Sequence, residues 1–537
     1  MITDNLQAAL RETLSALGVN PLPDTVNLER PGNHDHGDWS SNVALASARN
    51  AGRNPRDLAL AIAEHLNSAL PAQVTKVEVA GPGFVNFYLS NTWLYNTLRA
   101  VVAGGPDNYG RHHTGAGVRV NVEFVSANPT GPLHAGHARG AVYGDAIASL
   151  FEAVGHAVER EFYINDRGTQ MRTFAASLLA RKNGQDPPED GYVGQYIIDW
   201  ARQMPDGLSF DEVLEWGYAY ARADQVEVLA SLGIVFDTWF SERSLLTTGA
   251  IEESLDDLRR NGVVFEEDGA TWLRSTDYGD DKNRVLIRSD GEYTYITPDI
   301  AYHRHKFDRA DRLVNVWGAD HHGYISRMKA AMEALGHDAD ELQVEVTQMV
   351  RLMRGDQEVK LSKRTGEIIE LRDIVAEIGS DATRFTYLLQ SVETPQTFDL
   401  DVAASSAMEN PVFYVQMAHA RLRSIQAKAA QAAIATLPLE DVDLTQLVQQ
   451  RELELLRQLQ EFPDIVAIAA RERAPHKIAN WLREFAAAVH GFYHDCYVMG
   501  DGIAPELTQA RLWLVEAARI GLVSGLGLLG VSAPDSM

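Results

Sequence analysis

Residues 122–145 read VEFVSANPTGPLHAGHARGAVYGD, and the fold is decided there. Val118, Val120, Val122 and Phe124 alternate with polar residues, which is the period of a β-strand. A loop containing Pro129, Gly131 and Pro132 follows, and then an apolar stretch reading as a helix to about Val154. "VEREFYIND" (158–166) supplies the next strand. Strand, loop, helix and strand in this order open a parallel α/β sheet. A second such unit occupies 312–336, "RLVNVWGADHHGYISRMKAAMEALG".

His134 and His137 fall in the first turn of the expected helix, with Gly136 between them. Residues i and i+3 share a helix face, so three uses stay open: metal ligands, a phosphate clamp, or a polar cap. A metal site needs a third ligand and usually a fourth, and the H-E-x-x-H spacing is absent. Phosphate suits the position better, because a helix N-terminus offers unpaired N–H groups and the positive end of the dipole. Gly136 leaves room for a flat ring. Neither the Walker loop nor G-x-G-x-x-G occurs at this site.

Further along, "EVKLSKRTGE" (358–367) clusters Lys360, Lys363 and Arg364. Alone it reads as a solvated charged loop. Following the second strand–turn–helix unit, it reads as a lysine loop that closes over a triphosphate and stabilises charge during phosphate chemistry.

The rest of the chain sets bounds. Its 537 residues exceed one core. No apolar run is long enough to span a membrane, and the N-terminus reads as an amphipathic helix rather than a signal, so neither is expected. The one cysteine, Cys496, excludes internal disulfides and a multi-cysteine structural zinc site, and points to a reducing, cytoplasmic home. With 48 basic against 74 acidic residues the net charge is −26, which argues against a general nucleic-acid binder. The segment from Asn410 onward has 11 basic and 14 acidic residues, so it is nearly neutral and permits a basic face. Its pattern is helical throughout, with Val448, Leu455, Leu456, Leu459 and Phe462 as a buried face. Helices at "NLQAALRETLSALG" and "RDLALAIAEHLN" and paired strands in "VTKVEVAGPGFVNFYL" make the first 112 residues a small α/β unit.

"HAGH" followed by "KLSK" on an α/β scaffold resembles the HIGH and KMSKS signatures of class I aminoacyl-tRNA synthetases. "VEFVSANPTGPLHAGHARGAVYGD", "NPVFYVQMAHARLRSI" (410–425) and "LLGVSAP" (528–534) resemble the arginyl-tRNA synthetase family over almost the whole chain. The resemblance implies an α/β fold with a Rossmann-like parallel-sheet catalytic domain. An N-terminal α/β tRNA-binding domain and a C-terminal all-α anticodon-binding domain flank it. The boundaries expected are 1–112, 113–358 (catalytic, with insertions), 359–409 (lysine loop and stem contact) and 410–537.

It also implies the chemistry: L-arginine and ATP form an adenylate, and arginine passes to the terminal adenosine of tRNA(Arg). His134, His137, Lys360 and Lys363 would be catalytic, and with Gly136 would bind ATP. Magnesium would accompany ATP, with no protein ligand legible. Glu123, Asn128, Tyr295, Asp299, Asp320 and His321 would bind arginine, since carboxylates answer a guanidinium bidentately. Tyr414, His419 and Arg423 would contact tRNA. The family implies a monomer without an obligate protein partner. Tyr497 and the terminal "DSM" depart from the family pattern. A tRNA-independent HxGH nucleotidyltransferase would leave the helical C-terminal segment without a role, and the intact histidines and lysines argue against a non-catalytic RNA-binding paralogue. The chain is also too short for the inserted editing domain expected of synthetases for small apolar amino acids.

Overall fold

The computed structural model describes residues 2–31, 36–359 and 369–537, apart from the side chain of Asp320. The chain divides into two compact units: 1–104 with 429–460 and 494–517, and 105–428 with 461–493 and 518–537.

In the first unit, β1 (Trp39–Ser41), β2 (Val74–Ala80) and β3 (Phe84–Leu89) form an antiparallel sheet in the order β1-β3-β2. Helices Ile2–Ala16 and Pro55–Ser68 pack on it. Leu6, Leu10 and Leu14, spaced four apart, are buried with Val77, Val85 and Phe87, as the amphipathic reading of these helices requires.

The second unit is built on β4 (Arg119–Glu123), β5 (Ala157–Ile164), β6 (Thr238–Ser241), an antiparallel trio β7 (Val264–Glu267), β8 (Ala270–Leu273) and β9 (Arg284–Ile287), then β10 (Arg312–Gly318) and β11 (Leu342–Thr347). Five of these strands make one parallel sheet in the order β11-β10-β4-β5-β6. β4 lies at its centre, so the expected alternation of core and solvent does not hold. Val120, Asn121, Val122, Glu123 and Phe124 are all buried, because helices cover both faces of such a sheet. Its polar side chains find partners inside: Asn121 donates to Glu159 and Glu161. The helix Ala135–Ala153 packs tightly on β4, and a Cβ at Gly144 would lie 2.2 Å from the Phe124 ring.

The C-terminal segment is helical at Pro411–Gln431, Gln450–Glu472, His476–Asp495 and Pro505–Leu528. Leu455, Leu456, Leu459 and Phe462 are fully buried, but Val448 precedes the helix and is 61% exposed. The 3₁₀ turn at Leu444–Gln446 breaks the helical period before Val448, which the spacing alone did not reveal.

Candidate active site

His134 is the N-cap of the helix Ala135–Ala153, and His137 is its third residue. The Gly136 amide donates to Nδ1 of His134 (3.0 Å), and the His134 amide donates to Nδ1 of His137 (3.1 Å). Each ring therefore accepts at Nδ1, and in its neutral form carries its proton at Nε2. The capping and donor readings are compatible, because they use opposite nitrogens. Gly136 has a different reason from the one expected: its Cβ would sit 2.8 Å from the His134 ring. The protein's own imidazole lies against it.

A cavity of about 540 Å³ opens beside the two histidines, lined by Asn128, Thr130, Gly131, Gln170, Tyr196 and Glu370 among others. Its loop is tied down from several directions. Gln225 donates to the carbonyls of Asn128 and Gly131 (3.1 and 3.3 Å), the Tyr196 hydroxyl to that of Thr130 (3.0 Å), and the Asn128 amide to Gln170 (2.9 Å).

Lys360 and Lys363 lie outside the described residues. The chain that leaves their segment comes back to the histidines: Ala135 donates to the Ile369 carbonyl (3.0 Å) and Leu371 to the Leu133 carbonyl (2.8 Å). Ile369 and Leu371 are thereby joined to the segment that carries His134.

Asp299 lies in the first turn of the helix Ile296–Arg309, whose N-cap is Tyr295. The Tyr324 hydroxyl donates to Asp299 at 2.5 Å. Burial pushes its carboxyl up to about 7 against the Tyr324 bond, and the charges of Glu242 and Glu123 add to the rise. Glu242 is the residue sequence reading missed. It follows β6 directly, where the carboxyl ends of parallel strands gather ligand groups, and a four-residue strand left little pattern to find. Asp166 holds that turn, accepting from Ser241 Oγ (2.5 Å) and the Arg243 amide (3.1 Å). Burial also raises the Glu242 carboxyl, opposed by the Tyr163 hydroxyl and Arg167. Glu123 is held otherwise: its carboxylate accepts from Lys306 (2.8 Å) and Ser126 (2.9 Å). Burial works to raise it, and Lys306 with these bonds leaves it below the ordinary carboxylate range.

Tyr295 is 87% exposed, and the structure does not bring its side chain to these carboxylates. His321 is exposed on the 3₁₀ turn Ala319–Tyr324, its ring centroid 6.2 Å from that of Trp317.

The chain is similar to known proteins along its length. The model for the arginyl tRNA synthetase N terminal domain matches residues 4–89, and that for the class I (R) tRNA synthetase catalytic domain matches 106–190 and 220–424. The DALR anticodon binding domain model matches 415–537. The arginine–tRNA ligase of Bacillus cereus is 44% identical over 100% of this chain and 98% of its own length. That of Geobacillus thermodenitrificans is 45% identical over 99% of each. The chain belongs to the arginyl-tRNA synthetase family. This synthetase shares its fold with the enzymes of Thermus thermophilus (TM-score 0.75, 23% identity, 100% of both chains) and Plasmodium falciparum (TM-score 0.76, 16% identity, 100% and 99%).

In the helical segment of the synthetase, Tyr414 lines a cavity of about 450 Å³ with Asn480, Arg483 and Glu484. Its ring meets His490 edge-on at 4.6 Å. His419 departs from the expected tRNA contact: it is 2% exposed, and its Nδ1 lies 2.9 Å from the Pro534 carbonyl. Arg423 pairs bidentately with Asp535 (2.7 and 3.1 Å). Both side chains secure the last residues of the chain, which gives the departing "DSM" end a structural partner. Tyr497 is exposed.

Proposed function

We propose that the histidine-lined cavity and the carboxylate crevice are the ATP and arginine sites of an arginine–tRNA ligase. The observation that carries this is the return of Ile369–Leu371 onto Leu133–Ala135, beside the two histidines. The arginine carboxylate attacks the α-phosphorus of ATP, the bond to the bridging oxygen breaks, and pyrophosphate leaves with arginyl-adenylate formed. The 3′-terminal ribose hydroxyl of tRNA(Arg) then attacks the acyl carbon and AMP departs. The substrates bring both nucleophiles, so the protein acts by positioning and by stabilising charge.

His134 and His137 donate from Nε2 to oxygens around the α-phosphate, while Lys360 and Lys363 neutralise the departing pyrophosphate. Gly136 shapes the ATP site by seating the His134 ring. Magnesium would accompany ATP as its counter-ion. The histidines beside that site spend Nδ1 on backbone amides, and Glu370 is the carboxylate nearest to them in the cavity lining.

Glu242 and Asp299 take the guanidinium, with Tyr163 and Tyr324 orienting the carboxylates. Two raised carboxyls side by side are a site short of one positive charge. Asn128, beside the histidines, holds the amino-acid end, and Tyr295, Asp320 and His321 are carried as arginine-binding candidates by resemblance to the family. Tyr414, together with Arg483 and Asn480, faces an anticodon nucleotide, with His419 and Arg423 acting through the chain terminus. A cytoplasmic, monomeric enzyme fits the single cysteine and the family.

The test is arginine- and ATP-dependent acylation of total tRNA. Charging with lysine or glutamate instead would defeat the pocket assignment, and no charging by any amino acid would defeat the function.

A further inference from the structure

Next to the carboxylates assigned to arginine runs a chain of buried polar groups that the reaction as described leaves unused. The Lys306 ammonium donates to Glu123 Oε2 (2.8 Å) and to Asn315 Oδ1 (2.6 Å). An ammonium can only donate, so Asn315 must present its oxygen to it and its amide group to His303 Nε2 (2.8 Å). His303 then carries its proton at Nδ1 and donates to the Asp299 carbonyl (2.8 Å). Burial holds the His303 ring at about 4 with the Lys306 charge, consistent with a neutral imidazole. Lys306 and Asn315 are fully buried, and Glu123 and His303 nearly so. The parallel register sets Glu123 beside Asn315 on adjacent strands.

At the other end, Glu123 Oε1 accepts from Ser126 Oγ (2.9 Å), which itself accepts from the Tyr163 amide (3.2 Å). Val125 and Ser126 have φ of 69° and 43°, in the left-handed region that non-glycine residues rarely occupy and β-branched ones least of all. Such a turn persists only when its surroundings hold it. Two residues later comes Asn128.

We infer that Lys306 is a positioning residue for the arginine site. It keeps Glu123 ionised as the acceptor that locks Ser126 into the left-handed turn, and the turn presents Asn128 to the amino acid. Through Asn315 and His303 the same ammonium fixes the backbone of Asp299. Glu123 therefore acts on the turn through Ser126. Two further considerations support this. A buried ion pair is seldom more stabilising than apolar residues of the same volume, so this one has a positional use. And Lys306 cancels one of the crevice's three carboxylates, leaving Glu242 and Asp299 to answer one guanidinium.

The inference rests on assigning the crevice to arginine. Pyrophosphate exchange with tRNA present, titrated separately in arginine and ATP, tests it alongside thermal unfolding. Ser126→Ala removes no buried charge and retains the fold. We expect Ser126→Ala and Lys306→Met each to raise the KM for arginine about tenfold, with the KM for ATP within about twofold. The double variant should be no worse than Lys306→Met alone, because the route through Glu123 to Ser126 is then already broken. Glu123→Gln raising the arginine KM while Ser126→Ala leaves it unchanged would overturn the inference, because the turn at Ser126 would then play no part. Both KM values rising together, in step with a fall in Tm, would overturn it in favour of packing alone. An unsubstituted protein without arginine-dependent exchange would instead remove the parent reading and this inference with it.

Discussion

The rings of His134 and His137 lie with centroids 3.8 Å apart, and each accepts a backbone amide of the other's turn at Nδ1. One side of the pair caps a helix; the other offers donors to a ligand. A substitution that retains the first and removes the second separates these uses. Asparagine is a good N-cap, so His134→Asn should retain Tm and lower kcat in pyrophosphate exchange by about 10²-fold or more. His134→Ala should lower kcat equally and also lose about 1 kcal/mol of stability with the cap. Full turnover in His134→Asn would leave the pair with a capping role alone.

Asp299 predicts a pH profile. Its folded carboxyl stands at about 7 against an ordinary 3.8. A raised carboxyl favours the folded state below the unfolded value, and that stability is lost as pH rises from about 3.8 through 7. Guanidinium binding needs the opposite, ionised form. The kcat/KM for arginine, which reports groups of the free enzyme, should therefore climb with pH to a half-point near 7. Asp299→Asn should abolish that limb, and its Tm relative to the unsubstituted protein should improve with pH up to about 7 and then level off. A profile unchanged by Asp299→Asn would assign the titration elsewhere.

Glu242 offers a second test of the same site, read well above pH 7 because its charge adds to the rise at Asp299. Its carboxylate is buried after β6, beside Tyr163 and 3.5 Å from Arg167. Glu242→Gln retains the volume and removes the charge, so the KM for arginine should rise about tenfold to a hundredfold, as for the loss of a charge-assisted pair. Arginine titrations at fixed ATP measure it. An unchanged arginine KM would move the guanidinium away from β6.

The catalytic sheet was legible because apolar strands and a loop rich in Pro and Gly carry their own period, and the order of "HAGH" and "KLSK" carried the family. What stayed hidden depended on partners distant in sequence. Glu123 looked like the polar half of an alternating strand, but its environment is set by Lys306, 183 residues away. Glu242 follows a strand of four residues, too short to show a period. His419 sits in a motif shared with the family, and only folding reveals that its ring faces Pro534. Sequence gave the elements that self-organise locally; the roles of charged residues are tertiary facts.

Arg384 illustrates this in stability. It is fully buried and donates to Asp145 (2.5 Å), to the Leu232 carbonyl (2.9 Å) and to the Leu529 carbonyl (2.8 Å). Asp145 stands on the helix that begins at His134, so one guanidinium joins that helix to the end of Phe210–Ser231 and to the C-terminal helix end. Arg384→Met retains most of the volume but leaves two carbonyls and part of a carboxylate without donors. Breaking a buried pair from one side costs about 3–5 kcal/mol, so Tm should fall by roughly 5 °C or more. Asp145 also pairs with Arg160 (3.0 Å), which limits the loss, and adding Asp145→Asn should restore part of the Tm by removing the stranded charge. Neither effect requires a change in arginine KM, because Arg384 does not line the crevice. A Tm within about 1 °C of the unsubstituted protein would mean that water or a local shift replaces all three bonds.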